Sequence, residues 1–141
     1  MERSELIKKR AFPGRYESLA AIRDFVVQAA REVGFSEEDV YRVELSVDEA
    51  CANIIEHAYG GEDKGDIQCW IAIEAEGIRI RLQDFGRPFD PSKVSQPRLK
   101  VPIEKVKTRG VGFFLMNKLM DEVRYSSSLR GGNVMEMYKR R

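Results

Sequence analysis

The chain has 141 residues, the size of one domain with a core of its own. A hydrophobic share of 43% beside a charged share of 33% describes a soluble globular protein rather than a disordered or membrane chain. The net charge of +1 excludes a global field drawing the chain to nucleic acid or an anionic membrane, and two cysteines do not make a disulfide framework.

Residues 1–10 are dense with charge and contain no apolar leader core. The longest apolar run, residues 111–116, falls far short of the ~20 residues a membrane span requires. The expected address is the cytoplasm. No internal repeat divides the sequence, so one domain over residues 1–141 is expected.

Residues 5–12 read as a first strand, stopped by Pro13-Gly14. From residue 16 to 33, Leu19, Ile22, Phe25, Val26, Ala29 and Ala30 recur at helical spacing, and Gly34 suits the position after a helix end. A second helix opens at Ser36, where Glu37, Glu38 and Asp39 complement the positive end of its dipole. It is predicted to run to Tyr59 and stop at Gly60-Gly61. Residues 67–75 and 78–83 follow as two strands joined by Glu76-Gly77.

The segment Asp84-Phe-Gly-Arg-Pro-Phe-Asp-Pro91 breaks the regular pattern, and residues 92–108 show no clear period. Loops of that length in compact domains are often functional. Gly110-Val-Gly112 leads into a helix over residues 113–120. Two closing strands, 122–127 and 133–139, surround a turn at Gly131-Gly132. The order β-α-α-β-β-loop-α-β-β predicts a two-layer α/β sandwich, with a mixed, mostly antiparallel sheet and helices on one face.

The second helix carries two faces. Val40, Val43, Val47, Ala50, Cys51 and Ile54 form a core stripe, while Ser46, Glu49, Asn53, Glu56 and His57 form another about 115° away. Glu49 and Asn53 stand one turn apart and address the same volume. A carboxylate beside an amide oxygen suits a hard divalent cation such as Mg²⁺; the competing reading is a solvated face. The lone His57 reads more simply as a capping or packing residue, and no ligand set for structural zinc exists.

Asp84-x-Gly86 follows a buried strand, where a carboxylate accepts from an exocyclic amine and glycine lets backbone approach a base. Taken alone, an ordinary Asp-containing turn is the simpler explanation. Arg109-Gly-Val-Gly112 precedes a helix, whose free N–H groups favour an anion. Arg98, Lys100, Lys105, Lys107 and Arg109 face only Glu104 in the preceding stretch, which suits polyphosphate or, more plainly, solvent.

The order of these three signals resembles the N, G1 and G2 boxes of the GHKL (histidine kinase-like, Bergerat-fold) ATPases. More narrowly, Glu44-Leu-Ser-Val-Asp-Glu-Ala-Cys-Ala-Asn-Ile-Ile-Glu-His-Ala-Tyr59, Asp84-Phe-Gly-Arg-Pro-Phe-Asp-Pro91 and Thr108-Arg-Gly-Val-Gly-Phe-Phe-Leu-Met-Asn-Lys-Leu-Met-Asp-Glu-Val123 are similar to the RsbW-type anti-sigma factor serine-protein kinases. The resemblance implies an ATP-dependent serine/threonine kinase that phosphorylates a STAS-type anti-anti-sigma factor and sequesters a sigma factor.

It further implies Glu49 as the catalytic residue, acting as general base on a serine hydroxyl or polarising it, and Asn53 as the Mg²⁺ ligand. Asp84 would read the adenine amine with Gly86 beside the base. Arg109, Gly110, Val111 and Gly112 would hold the phosphates of ATP, and residues 92–109 would form an ATP lid. The segment departs from the family pattern in having Arg87-Pro88 where a second glycine is common, and Thr108 precedes Arg109. A homodimer is the expected assembly, without direct nucleic-acid or membrane contact. The alternative is a non-enzymatic partner-switching module in which ATP only tunes binding.

Overall fold

The computed structural model describes residues 6–90 and 112–141. Five strands form one sheet in the order β1-β2-β3-β5-β4: β1 (Leu6–Pro13), β2 (Asp66–Glu74), β3 (Gly77–Asp84), β4 (Glu122–Ser128) and β5 (Gly132–Arg140). The expected mixed, mostly antiparallel sheet is antiparallel at every one of its pairings. Strands β2–β3 and β4–β5 are hairpins, and a hairpin can only be antiparallel.

Alternation along the strands decides which face is covered. Ile67, Cys69 and Ile71 of β2, Ile78, Ile80 and Leu82 of β3, and Met135 and Met137 of β5 are all buried on one side. Burying each such side chain contributes about 1.5–3 kcal/mol. The outward neighbours mix Arg79, Arg81, Gln83 and Glu136 with Trp70, Ala72 and Val134. On that open face Arg79 bonds Glu74 and Glu136, each at 3.0 Å, and Arg81 bonds Glu136 at 3.0 Å. Burial acts to raise the Glu136 carboxyl pKa, but the two arginines outweigh it and hold the group below its ordinary range. An apolar face inward and a charged lattice outward make two layers rather than three.

Among the described residues three helices cover the apolar face: α1 (Leu19–Val33), α2 (Glu37–Asn53) and α3 (Gly112–Leu119). The apolar stripe read from the sequence is buried: Ile22, Val26, Ala29 and Ala30 on α1 meet Val40, Val43, Val47, Ala50 and Cys51 on α2 in one core. Phe25 of α1 meets Phe12 of β1 edge to face, with ring centroids 5.8 Å apart. Arg23 adds a 2.6 Å ion pair to Asp48 across the two helices.

The helix boundaries have local causes. Ser36 accepts from the Asp39 N–H at 3.1 Å and caps α2, as the sequence predicts. Gly34 ends α1 in the left-handed conformation, φ 92°. At its start, the predicted helix from residue 16 opens instead as a 3₁₀ turn, Tyr16–Ser18, before α1 begins. Tyr16 is tied there by its N–H to Glu62 at 2.9 Å and its hydroxyl to Glu56 at 2.8 Å.

The larger difference lies at the other end of α2. The expected helix to Tyr59 is α-helical only to Asn53; Ile54–Ala58 is a π-helical turn. The Tyr59 N–H reaches five residues back to the Ile54 carbonyl at 2.9 Å. Such turns break the periodicity of a helix locally and frequently accompany functional sites.

Candidate nucleotide-binding site

Five polar side chains are buried around the end of α2 and the ends of β3 and β5. Glu49 and Asn53 are each 1% exposed, Asp84 and Asn133 are each 2%, and Ser46 is fully buried. In a core this apolar, a polar group that makes no hydrogen bond costs about 1–3 kcal/mol. Both amide atoms of Asn53 and the Ser46 hydroxyl have no hydrogen-bond partner among the described residues. No hydrogen bond among the described residues offsets their burial.

The two carboxylate-bearing segments meet through the π turn. Its Ala58 carbonyl accepts from the Arg87 N–H at 2.9 Å, and its His57 carbonyl accepts from Arg87 Nε at 3.3 Å. A β-carbon on Gly86 would collide with the Ala58 carbonyl, so glycine is required there by close approach rather than by its dihedral angles. Asn53 directly precedes this turn. Glu49, Asn53 and the segment from Asp84 to Asp90 therefore belong to one end of the molecule.

Two tyrosines hold that segment. Tyr59 accepts from the Phe85 N–H at 3.1 Å and donates to the Asp66 carbonyl at 2.7 Å. Tyr125 accepts from the Phe89 N–H at 3.2 Å. Burial pushes both phenols up from their ordinary value. The Phe89 ring lies between Tyr125 and His57, with centroids 5.4 Å and 5.7 Å away. His57 also lies 3.9 Å from Glu56, Nε2 to Oε1.

Asp84 ends β3 with Oδ1 doubly engaged. It accepts from the Gly86 N–H at 2.9 Å and from Asn133 Nδ2 at 2.7 Å. Burial raises the Asp84 carboxyl pKa, and these two hydrogen bonds partly oppose the shift. Oδ2 accepts no hydrogen bond among the described residues. A carboxylate fixed by one oxygen presents the other as an acceptor for a donor such as an exocyclic amine.

Asn133 escaped the sequence reading. Its partner is 49 residues away, and only the β3–β5 register, which sets Asp84 opposite Asn133, brings the two together. The available signal was its inward place in the alternation Asn133-Met135-Met137, where a polar residue is out of keeping.

Gly112 is the first residue of α3, which packs against α2. Arg109, Gly110, Val111 and the segment 92–109 lie outside the described residues. Among the described residues no three His, Cys, Asp or Glu side chains converge on a common point. A metal here would take few protein ligands and rely on a ligand's own oxygens, the manner of Mg²⁺ on nucleotide phosphates.

A helix layer over an antiparallel sheet, with a buried acid and amide on one helix and a half-engaged carboxylate at a strand end, defines a nucleotide-using domain of the histidine kinase-like ATPase class. The chain belongs to that family: residues 12–139 match its domain model. It is similar to serine-protein kinase RsbW of Bacillus cereus strain Q1, 34% identical over 127 residues that cover 87% of this chain and 78% of the relative. The protein of the same name from Bacillus anthracis strain A0248 shows the same identity and coverage.

The solved structure of the RsbU and RsbW domains of Rv1364c from Mycobacterium tuberculosis shares the fold, with a TM-score of 0.68 at 17% identity. The match takes in 96% of this chain and 32% of that longer one.

Proposed function

We propose that this chain is an ATP-dependent serine/threonine protein kinase of the RsbW type, acting in the cytoplasm. Its substrate is a STAS-type anti-anti-sigma factor, and its second partner is a sigma factor held in its grip. The observation that carries the reading is the pair Glu49 and Asn53, buried one turn apart on α2, immediately before the turn on which the Asp84 segment is docked.

The roles divide by chemistry. Asp84 accepts from the adenine amine, and Gly86 lies beside the base. Gly110, Val111 and Gly112, with Arg109, cradle the phosphates under a lid formed by residues 92–109. Asn53 has an amide oxygen without a described partner, which fits a ligand to Mg²⁺. That ion would neutralise charge on the phosphates. Glu49 accepts the proton of the substrate hydroxyl as its oxygen bonds to the γ-phosphorus, and ADP leaves with the electrons of the broken P–O bond. Positioning and charge compensation supply most of such a transfer.

Strand β1 is a sheet edge, where a second copy could add. It carries Lys8, Lys9 and Arg10, charges that oppose pairing with an identical strand. A homodimer therefore needs another surface, and sedimentation at micromolar concentration reads its presence.

The deciding experiment replaces Glu49 with Gln. Transfer of labelled γ-phosphate to a STAS-domain serine should fall by roughly 10²-fold or more, the scale of losing a general base, with ATP affinity kept. A wild-type protein that binds ATP yet phosphorylates no such substrate would instead establish a nucleotide-tuned binding module.

A further inference from the structure

The backbone donors of the three residues that follow Asp84 are all engaged. The Phe85 N–H goes to the Tyr59 hydroxyl at 3.1 Å, the Gly86 N–H to Asp84 Oδ1 at 2.9 Å, and the Arg87 N–H to the Ala58 carbonyl at 2.9 Å. Asn133 completes the pattern. Its Nδ2 lies 2.7 Å from Asp84 Oδ1, 3.0 Å from the Gly86 carbonyl and 3.5 Å from the Arg87 carbonyl, so its two amide protons face three acceptors. Asp84 Oδ2 is left as the acceptor not taken up by any of these bonds.

We infer that Asn133 is the residue that sets nucleobase selectivity: it orients Asp84 as an acceptor and, with its own protons engaged, offers no donor to the base. A purine with an amino group at position 6 donates to Oδ2 and is accepted. A purine with an oxo group there brings an acceptor to an acceptor, finds the N–H groups of residues 85–87 already bonded, and is refused. A site loses its ill-matched ligand through the unpaired polar group left behind, which discriminates more sharply than a gained contact.

Asn133 reaches the base only through Asp84, which makes it a positioning residue. The inference rests on the assignment of Asp84 to the base. Asn133 also holds the carboxylate in its ionised form, because its hydrogen bond favours the charge that burial disfavours. Without that amide, Asp84 takes up a proton more readily, and a protonated carboxyl donates to an oxo group. Loss of selectivity should therefore be greater in acid.

The test measures dissociation constants for ATP and GTP by calorimetry at pH 6 and pH 8, for wild type, Asn133→Ala, Asn133→Ser and Asp84→Asn. Wild type should prefer ATP at both pH values. Asn133→Ala should narrow the ATP:GTP preference roughly tenfold or more, the scale of one hydrogen bond to a charged group. The narrowing should be larger at pH 6. Asn133→Ser keeps one donor and should recover part of the preference; it also supplies the comparison if the alanine variant does not fold.

Parallel weakening of ATP and GTP with an unchanged ratio would make Asn133 a structural residue and overturn the inference. A wild type without preference, or an Asp84→Asn variant that binds ATP as before, would overturn the assignment of Asp84 itself. The two failures are distinguishable because only the second involves proteins in which Asn133 is intact.

Discussion

Gly86 lies against the carbonyl of Ala58 with no room for a side chain between them. That contact joins the strand-end segment to the π turn, and the Arg87 N–H clips it in place at 2.9 Å. The nearest atoms are those of the Ala58 backbone carbonyl, which cannot swing aside as a side-chain tip would. Gly86→Ala should therefore push the segment off the turn, costing about 1–3 kcal/mol by overpacking. ATP affinity should fall with it. A melting curve and a binding isotherm on one preparation check both, and an alanine variant with wild-type stability would refute the contact.

Asp84 makes stability and binding pull against each other. Its carboxyl pKa is raised above the ordinary value of 3.8, chiefly by burial. The folded state therefore binds this proton more tightly than the unfolded chain does. The resulting stabilisation is complete below pH 3.8, the unfolded value, and is lost as pH rises through the higher folded value. At neutral pH the ionised group is a burden to the fold. Asp84→Asn keeps an oxygen for the Gly86 and Asn133 donors and removes the charge. It should denature later than wild type at pH 7, with the advantage vanishing in acid, while losing ATP binding. Urea titrations at pH 7 and pH 4 measure the difference; a variant less stable at pH 7 contradicts it.

Much of this arrangement was legible in the sequence, for identifiable reasons. Ser36 and Gly34 are capping residues, so the boundary between α1 and α2 announced itself. Period-two alternation placed β2, β3 and β5, and the Glu49–Asn53 spacing survived because both residues precede the π turn. The π turn itself left no trace. Ile54–Ala58 continues the apolar pattern of α2, and its five-residue bond accompanies docking of a segment some thirty residues downstream. Asn133 showed in the sequence only as a polar residue in an apolar alternation, because β-sheet register, not local composition, gives it Asp84.

The Ser36 cap offers a test independent of any ligand. Its hydroxyl satisfies the Asp39 N–H at 3.1 Å, one of the donors that a helix start otherwise leaves unpaired. Ser36→Ala should cost about 0.5–2 kcal/mol. Because α2 carries Glu49 and Asn53 well inside its body, ATP affinity at low temperature should stay within about twofold of wild type. A variant of unchanged stability would mean that Glu37, Glu38 and Asp39 suffice to start the helix.

Asn53 is where the division between fold and function is sharpest. Its amide is 1% exposed, and neither of its polar atoms has a partner among the described residues. Keeping such a group buried costs about 1–3 kcal/mol, and Asn53→Ala removes that cost. The same substitution deletes side-chain volume and leaves a small cavity, a loss of similar size and opposite sign. The two effects should nearly cancel, leaving the melting temperature within a few degrees of wild type. Metal dependence should not survive. If Asn53 is the protein's hold on Mg²⁺, wild type binds ATP more tightly with Mg²⁺ than with EDTA, and the alanine variant binds it equally in both. An alanine variant that keeps the Mg²⁺ enhancement would remove Asn53 from the metal site. One that unfolds would show the buried amide to be structural after all.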